Sequence, residues 1–73
     1  MNHIEIDPKI CNGKPIIQGT RIPIKVILDM LADGNSWEEI IEGYPVLKLE
    51  DIKAAIQYAS ATIEHINLEL IEA

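Results

Sequence analysis

The sequence predicts a mainly α-helical fold in which a short N-terminal β-hairpin precedes a three-helix bundle with a long C-terminal helix. Three observations support this prediction. Apolar and polar residues alternate near the N-terminus, apolar residues recur at helical spacing after residue 23, and no Gly or Pro interrupts residues 46–73. A chain of 73 residues is expected to form one domain. We divide it into a hairpin and connector (1–22), a three-helix core (23–60) and a helical C-terminal extension (61–73).

The composition favours a packed domain and argues against several classes of protein. Hydrophobic residues make up 48% of the chain, but Phe is absent, so the core must be built from Ile, Leu, Val and Ala. The net charge of -6 argues against non-specific nucleic-acid binding by a monomer. The single cysteine, Cys11, excludes an internal disulfide and a cysteine-based zinc site. Without a long apolar run or a signal-peptide pattern, we expect a cytoplasmic protein that does not bind membranes.

The negative charge is concentrated in the second half of the chain. Residues 1–36 hold four basic and four acidic residues, whereas residues 37–73 hold two basic and eight acidic residues. An acidic helix surface that keeps a small protein soluble is one interpretation. A surface that attracts a basic partner is the other.

The N-terminal residues predict a small hairpin. Ile4 and Ile6 alternate with polar neighbours, which indicates a short half-buried strand that ends at Pro8. Asn12-Gly13 is typical of a hairpin turn, and residues 15–17 are expected to form the second strand.

The first helix is expected to begin near Pro23, because proline suits the first turn of a helix. Thr20 or Ile22 lies near its N-terminal cap, and Gly34 ends it in a left-handed conformation. Its apolar face consists of Ile24, Ile27, Leu28 and Leu31.

The second helix is short. Ser36 and Glu39 have the spacing of a capping box, in which each side chain bonds a free backbone N–H near the other. Gly43 and Pro45 end the helix after about two turns. Its buried side consists of Trp37, Ile40, Ile41 and Tyr44, so we interpret the two aromatic residues as core anchors.

The third helix carries a heptad seam, formed by Leu49, Ile52, Ile56, Ala59, Ile63, Ile66 and Leu70. A helix of this length, roughly 30 Å, is longer than a two-turn neighbour can cover. The distal apolar residues therefore need another surface. These candidate dimer or toxin-interface residues are Ile63, Ile66, Leu68, Leu70 and Ile71. We expect a homodimer, with docking of another protein or folding back as alternatives.

No group of residues indicates catalysis, so we predict that the protein is not an enzyme. Cys11 has no nearby histidine in sequence, and His3 and His65 lie in different segments. The acidic pairs at the starts of the second and third helices are explained by the helix dipole. We predict no catalytic, metal or cofactor-binding residue.

Three helices with a short second one allow a helix-turn-helix, with a recognition helix that begins near Leu49. The candidate DNA-contact residues are Lys14, Arg21, Lys25, Lys48, Lys53 and Gln57. Glu50 and Asp51 would repel phosphate and weaken this interpretation. A dimer could instead form one basic face from Lys9, Lys14, Arg21 and Lys25 of two chains. Arg21 has a structural alternative, in which it pins the hairpin through carbonyl groups or a carboxylate such as Asp7.

Several short motifs also resemble those of a known family. They are Gly13–Pro15, Gly19–Ile22, Gly34, Ser36–Ile40, Tyr44–Leu47, Asp51-Ile52 and Ala55–Ala59. In this combination the chain resembles, over about residues 4–60, the bacterial and archaeal proteins catalogued as a domain of unknown function, number 433. Lys48 departs from the pattern, because the family often has there a threonine that would cap the third helix.

The resemblance implies a homeodomain-like three-helix fold and a role as the antitoxin of a type II toxin–antitoxin pair, similar to VapB-type antitoxins. The implied partner is a PIN-like ribonuclease toxin encoded by the adjacent gene. Our hypothesis is that the acidic C-terminal helix binds this toxin, while a dimeric core could bind operator DNA. The alternatives are a stand-alone DNA-binding regulator and a small adaptor subunit.

Overall fold

Within residues 3–64, two short strands and three α-helices follow one another. The structure, a computed structural model, describes residues 3–64. The elements are β1 (Ile4–Glu5), β2 (Ile16–Ile17), α1 (Ile24–Ala32), α2 (Trp37–Gly43) and α3 (Leu49–Glu64). This order confirms the predicted mainly helical fold with an N-terminal hairpin.

The two strands pair antiparallel, with Ile4 opposite Ile17. The first strand is shorter than predicted: it ends at Glu5, and Ile6 lies outside it and is exposed. A turn at Asp7 redirects the chain at this point. The Asp7 carbonyl accepts a hydrogen bond from the Ile10 N–H (2.9 Å), and its carboxylate accepts one from the Lys9 N–H (2.8 Å).

The Asn12-Gly13 pair forms a turn of the predicted kind, but it does not join the strands directly. Both residues have positive φ angles, 58° and 79°, and the Lys14 N–H donates to the Cys11 carbonyl at 3.1 Å. These are features of a type I′ turn. The predicted hairpin is present, and this turn lies within the longer loop, residues 6–15, that connects its two strands.

The start of α1 differs from the prediction. Pro23 is the N-cap residue itself, and the first N–H of the helix, on Ile24, donates to the Pro15 carbonyl at 2.9 Å. That bond makes a side-chain cap from Thr20 unnecessary. The Thr20 hydroxyl instead braces the connector, donating to the Ile17 carbonyl (2.7 Å) and accepting from the Ile22 N–H (3.0 Å).

The end of α1 confirms the predicted glycine cap. Gly34 has a φ angle of 93° and its N–H donates to the Leu31 carbonyl. The Asn35 N–H donates to the Met30 carbonyl, which completes a Schellman motif. Only a residue that tolerates a positive φ angle suits this position, so the glycine in the sequence was enough to predict the end of the helix.

The capping box of α2 is present as predicted. The Ser36 hydroxyl accepts from the Glu39 N–H at 3.1 Å, and the Glu39 carboxylate accepts from the Ser36 N–H at 2.7 Å. The helix ends at Gly43, and the following Tyr44 N–H donates to the Ile40 carbonyl.

The third helix begins at Leu49 although Lys48 cannot cap it with a hydroxyl. One carboxylate oxygen of Asp51 accepts from the Lys48 N–H at 3.0 Å, which is half of a capping box. The other lies 3.0 Å from Nδ1 of His3, so the same side chain ties the N-terminal segment to α3.

A single apolar cluster holds the elements together. Its buried members are Ile17, Ile24, Ile27, Ile40, Leu47, Ile52 and Ala55. Trp37 and Tyr44 are half-buried against this cluster, which confirms their predicted role as anchors. Within residues 3–64, none of the helices combines the length and apolarity needed to cross a membrane.

Candidate functional site

The heptad seam of α3 is only partly buried. Ile52 is fully buried, whereas Leu49, Ile56 and Ile63 remain 48%, 37% and 56% exposed. The heptad spacing predicted the seam but did not predict which of its residues are buried within the chain itself. Because α3 packs on the core through Ile52 and its neighbour Ala55, only one edge of the seam turns inward.

The exposed edge forms a narrow apolar line, which we call the α3 stripe (Leu49, Ile56 and Ile63). Residues seven apart drift by only about 20° around a helix, so these side chains point in nearly one direction. The stripe extends for roughly 21 Å at 1.5 Å per residue. No charged residue occurs between Ala54 and Ile63.

A groove lies between α1 and the C-terminal half of α3, with a volume of about 450 Å³. Its walls are mainly apolar and include Pro15, Pro23, Ile24, Leu28, Tyr58 and Ala59. We call it the α1–α3 groove. This volume is within the range of ligand pockets, roughly 300–1,000 Å³. Thr62 and Ile63 also line it, so the groove adjoins one end of the α3 stripe.

The residues proposed to contact DNA are distributed over several elements of the fold. Lys14 and Lys25 both line the α1–α3 groove, and Lys25 pairs with Asp29 at 2.7 Å on the same helix. Lys53 and Gln57 are exposed one turn apart on the side of α3 that faces away from the core. The other two candidates lie elsewhere in the chain, Lys48 immediately before α3 and Arg21 in the connector, and both are exposed.

The chain that carries the α3 stripe and the α1–α3 groove is similar in sequence and structure to known proteins. The family model described as "Protein of unknown function (DUF433)" matches residues 4–59. The chain belongs to the DUF433 family. The match covers well over half of the sequence and confirms the resemblance carried by the short motifs.

Two individual relatives agree with this membership. A crystal structure of a DUF433 member from Anabaena variabilis has a TM-score of 0.81 and 34% sequence identity, over 97% of this chain and 70% of that one. The uncharacterized protein y4eO of Sinorhizobium fredii is 39% identical over 54 residues. Those residues are 74% of this chain and 24% of that protein, so the chain spans about a quarter of this relative.

The expected pairing of Arg21 with Asp7 does not occur in this DUF433 protein. The Asp7 carboxylate is used by the Lys9 N–H, and within residues 3–64 the Arg21 guanidinium makes no hydrogen bond or ion pair. The backbone of Arg21 does have a role, since its carbonyl accepts from the Cys11 thiol at 3.4 Å. Cys11 is therefore a turn residue with a local partner.

The remaining polar side chains show structural contacts. Over the described part of the chain, no three His, Cys, Asp or Glu residues are grouped so that they could hold a metal ion. His3 pairs with Asp51 across 48 positions of sequence. The exposed apolar surfaces of the described residues are therefore the α3 stripe and the α1–α3 groove, and these are the candidate binding surfaces.

Sequence reasoning missed the α1–α3 groove, because it depends on where α1 lies relative to α3. Leu28 packs against the core as predicted and also lines the groove, and Thr62, which was assigned to no site, lines it too. Ile63 was named as an interface candidate and is exposed. The other named interface residues, Ile66, Leu68, Leu70 and Ile71, lie outside the described residues.

Proposed function

We propose that this DUF433 protein is the antitoxin of a type II toxin–antitoxin pair that binds and neutralises a PIN-like ribonuclease encoded beside it. The observation that supports the proposal best is the α1–α3 groove at the end of α3. A small monomeric domain rarely leaves contiguous apolar surface uncovered unless another molecule binds there. The groove adjoins the predicted toxin-binding extension, residues 61–73, of which residues 65–73 follow α3 in the sequence.

The groove suits an apolar segment of a partner. Its mainly apolar walls and open shape are compatible with the helix-in-groove mode, in which a few side chains of a helix insert into a hydrophobic trough. Lys25 at its border is paired with Asp29, which also lines the groove, so the border carries little net charge and apolar contact is the main contribution expected here.

The charge distribution supports a nuclease as the partner. A ribonuclease must attract RNA, so it presents basic surface. The exposed carboxylates Glu38, Glu42 and Glu50 lie in the acidic half of this chain, and Glu69 and Glu72 follow in sequence. Acidic residues that approach a basic surface accelerate association and compete with RNA for that surface.

The test is co-purification with the product of the adjacent gene, followed by an assay of ribonuclease inhibition. The variant Thr62→Arg places a long charged side chain at the groove, and Gln57→Arg makes the same charge change on the far side of α3. We expect Thr62→Arg to weaken binding at least about tenfold, which is about 1.4 kcal/mol, while Gln57→Arg binds normally. Full neutralisation by Thr62→Arg would contradict docking in the groove.

A second variant separates the groove from the C-terminal segment. Deletion of residues 65–73 leaves the described residues of α3, Leu49–Glu64, in place. We expect it to bind the nuclease weakly and to lose inhibition, because the acidic segment is removed. An adaptor subunit, in contrast, would bind a partner without changing its activity.

DNA binding is a second candidate function, and one observation favours it. Lys53 and Gln57 are exposed side by side on the helix that follows the α2–α3 turn, where a recognition helix presents its contacts. The exposed Glu50 in the first turn opposes phosphate contact.

Fluorescence anisotropy with the protein's own promoter, over a range of salt concentrations, tests this candidate. The pair Lys53→Ala and Gln57→Ala should abolish binding by a recognition helix. Loss of binding in the pair Arg21→Ala and Lys25→Ala instead would indicate a basic face near the hairpin. Absence of any specific binding would leave the protein interaction as the function.

A further inference from the structure

Large apolar side chains that contact water are concentrated along one line of the molecule. Among residues 3–64, the exposed large hydrophobic residues are Ile6, Val46, Leu49, Ile56 and Ile63. Three of them form the α3 stripe, and Val46, which is 61% exposed, lies just before α3. One contact along this helix would therefore remove three of the five from water.

The spacing of the α3 stripe is symmetric about its centre. Leu49 precedes Ile56 by seven residues, and Ile63 follows it by seven. A two-fold axis that passes perpendicular to α3 at Ile56 would therefore place Leu49 of each copy opposite Ile63 of the other. Self-complementarity of this kind is what an isologous dimer requires.

We propose that the α3 stripe binds a second copy of this chain, with the two α3 helices antiparallel and the two-fold axis at Ile56. This dimer does not depend on the proposed antitoxin function. Tyr58 and Thr62 face the α1–α3 groove, and only Ile63 borders both surfaces.

The residues around the stripe allow two helices to approach closely. No charge occurs between Ala54 and Ile63, and the centres of protein interfaces are depleted of charged residues. Ala59 and Ser60 are small, so their side chains do not keep the helix axes apart. Contact at the usual helix–helix distance of about 8–10 Å is therefore possible along the stripe.

Charge complementarity favours the antiparallel orientation. A parallel pair would bring each charged residue, such as Lys53 or Glu50, level with its own copy and would align the two helix dipoles. In the antiparallel pair, residues equally far before and after Ile56 are level, so Lys48 is level with Glu64, and the charged residues 50, 51 and 53 are level with the uncharged residues 62, 61 and 59. The stripe is narrow, so we expect micromolar rather than nanomolar affinity.

The first experiment is light scattering of the full-length chain over a concentration series that reaches about 100 µM, well above the micromolar Kd expected for the dimer. We expect the mass of a dimer for the native protein and for Gln57→Glu, and the mass of a monomer for Ile56→Glu. Circular dichroism should show that all three are equally helical. A native monomer throughout the series, or an Ile56→Glu dimer, would overturn the proposal.

Disulfide cross-linking determines the orientation in a Cys11→Ser background. Ile56→Cys should cross-link to itself, and a mixture of Leu49→Cys with Ile63→Cys should give a mixed dimer. Neither of the latter two variants should cross-link alone. Self-linking of Leu49→Cys would show a parallel pair and contradict the two-fold axis. If the native chain is monomeric and Ile56→Glu abolishes nuclease binding, the occupant of the stripe is the nuclease and not a second copy.

Discussion

At the scale of single residues, Asp51 joins two parts of the molecule through one carboxylate. One oxygen accepts from the Lys48 N–H and the other lies 3.0 Å from the His3 ring nitrogen. The side chain is only 13% exposed, in contrast to the neighbouring exposed Glu50. The carboxylate therefore caps α3 and also holds the segment that leads into β1.

The variant Asp51→Ala should lower the free energy of unfolding by about 1 kcal/mol, the usual cost of losing a helix cap. The control is Glu50→Ala, which removes the same charge from the same first turn but no hydrogen bond among the described residues. Urea denaturation measures both. Equal losses would show that the helix dipole, and not the two hydrogen bonds, accounts for the effect of Asp51.

At the scale of elements, α3 shows why a periodic pattern does not identify a buried face. The seven-residue spacing was sufficient to predict a helix and a seam. The rotation of that helix about its axis depends on how it packs against the rest of the molecule. Packing through Ile52 and Ala55 leaves Leu49 and Ile56 facing outward.

The same small change at two positions of α3 tests this rotation. Ile52→Val removes one methylene group from a fully buried site and should cost about 1 kcal/mol of unfolding free energy. Ile56→Val alters an exposed site and should cost much less in dilute protein, where the chain is monomeric. The midpoint of urea denaturation is the measurement. Equal losses in dilute solution would place Ile56 in the core and contradict the observed rotation.

At the scale of the whole molecule, the acidic half of the chain is a source of electrostatic repulsion. The net charge is -6, and the short helix α2 carries three glutamates. Glu38 lies at its positive end, whereas Glu42 lies in its last turn, near the negative end and four residues from Glu38. Like charges at this spacing destabilise a helix, and so does a carboxylate at a helix C-terminus.

The variant Glu42→Gln should therefore raise the free energy of unfolding by about 0.3–0.5 kcal/mol at low salt. The gain should shrink in concentrated NaCl, because salt screens exposed charges. Glu38→Gln removes the same net charge from the favourable end and should not stabilise the protein. If both variants stabilise it equally, total charge and not position along the helix decides the outcome.

Local signals in the sequence were sufficient to predict the structure wherever the residues that contact each other are only a few positions apart. The capping box of Ser36 and Glu39 formed as expected, because its partners are three residues apart. The end of α1 at Gly34 followed from the left-handed conformation that glycine accepts. Pro23 was placed one position too far into α1, because its neighbour Ile24 finds a carbonyl in Pro15, which is distant in sequence.

The amino-acid sequence was enough to establish the order and type of the elements, the caps of α2 and α1, the aromatic anchors and the family. These features depend on contacts within a few residues or on short motifs. The tertiary structure decided which edge of the α3 seam is buried, placed His3 on Asp51 and opened the α1–α3 groove. These depend on the relative positions of distant segments, which are set when one apolar cluster of Ile, Leu and Ala side chains packs from all the elements at once.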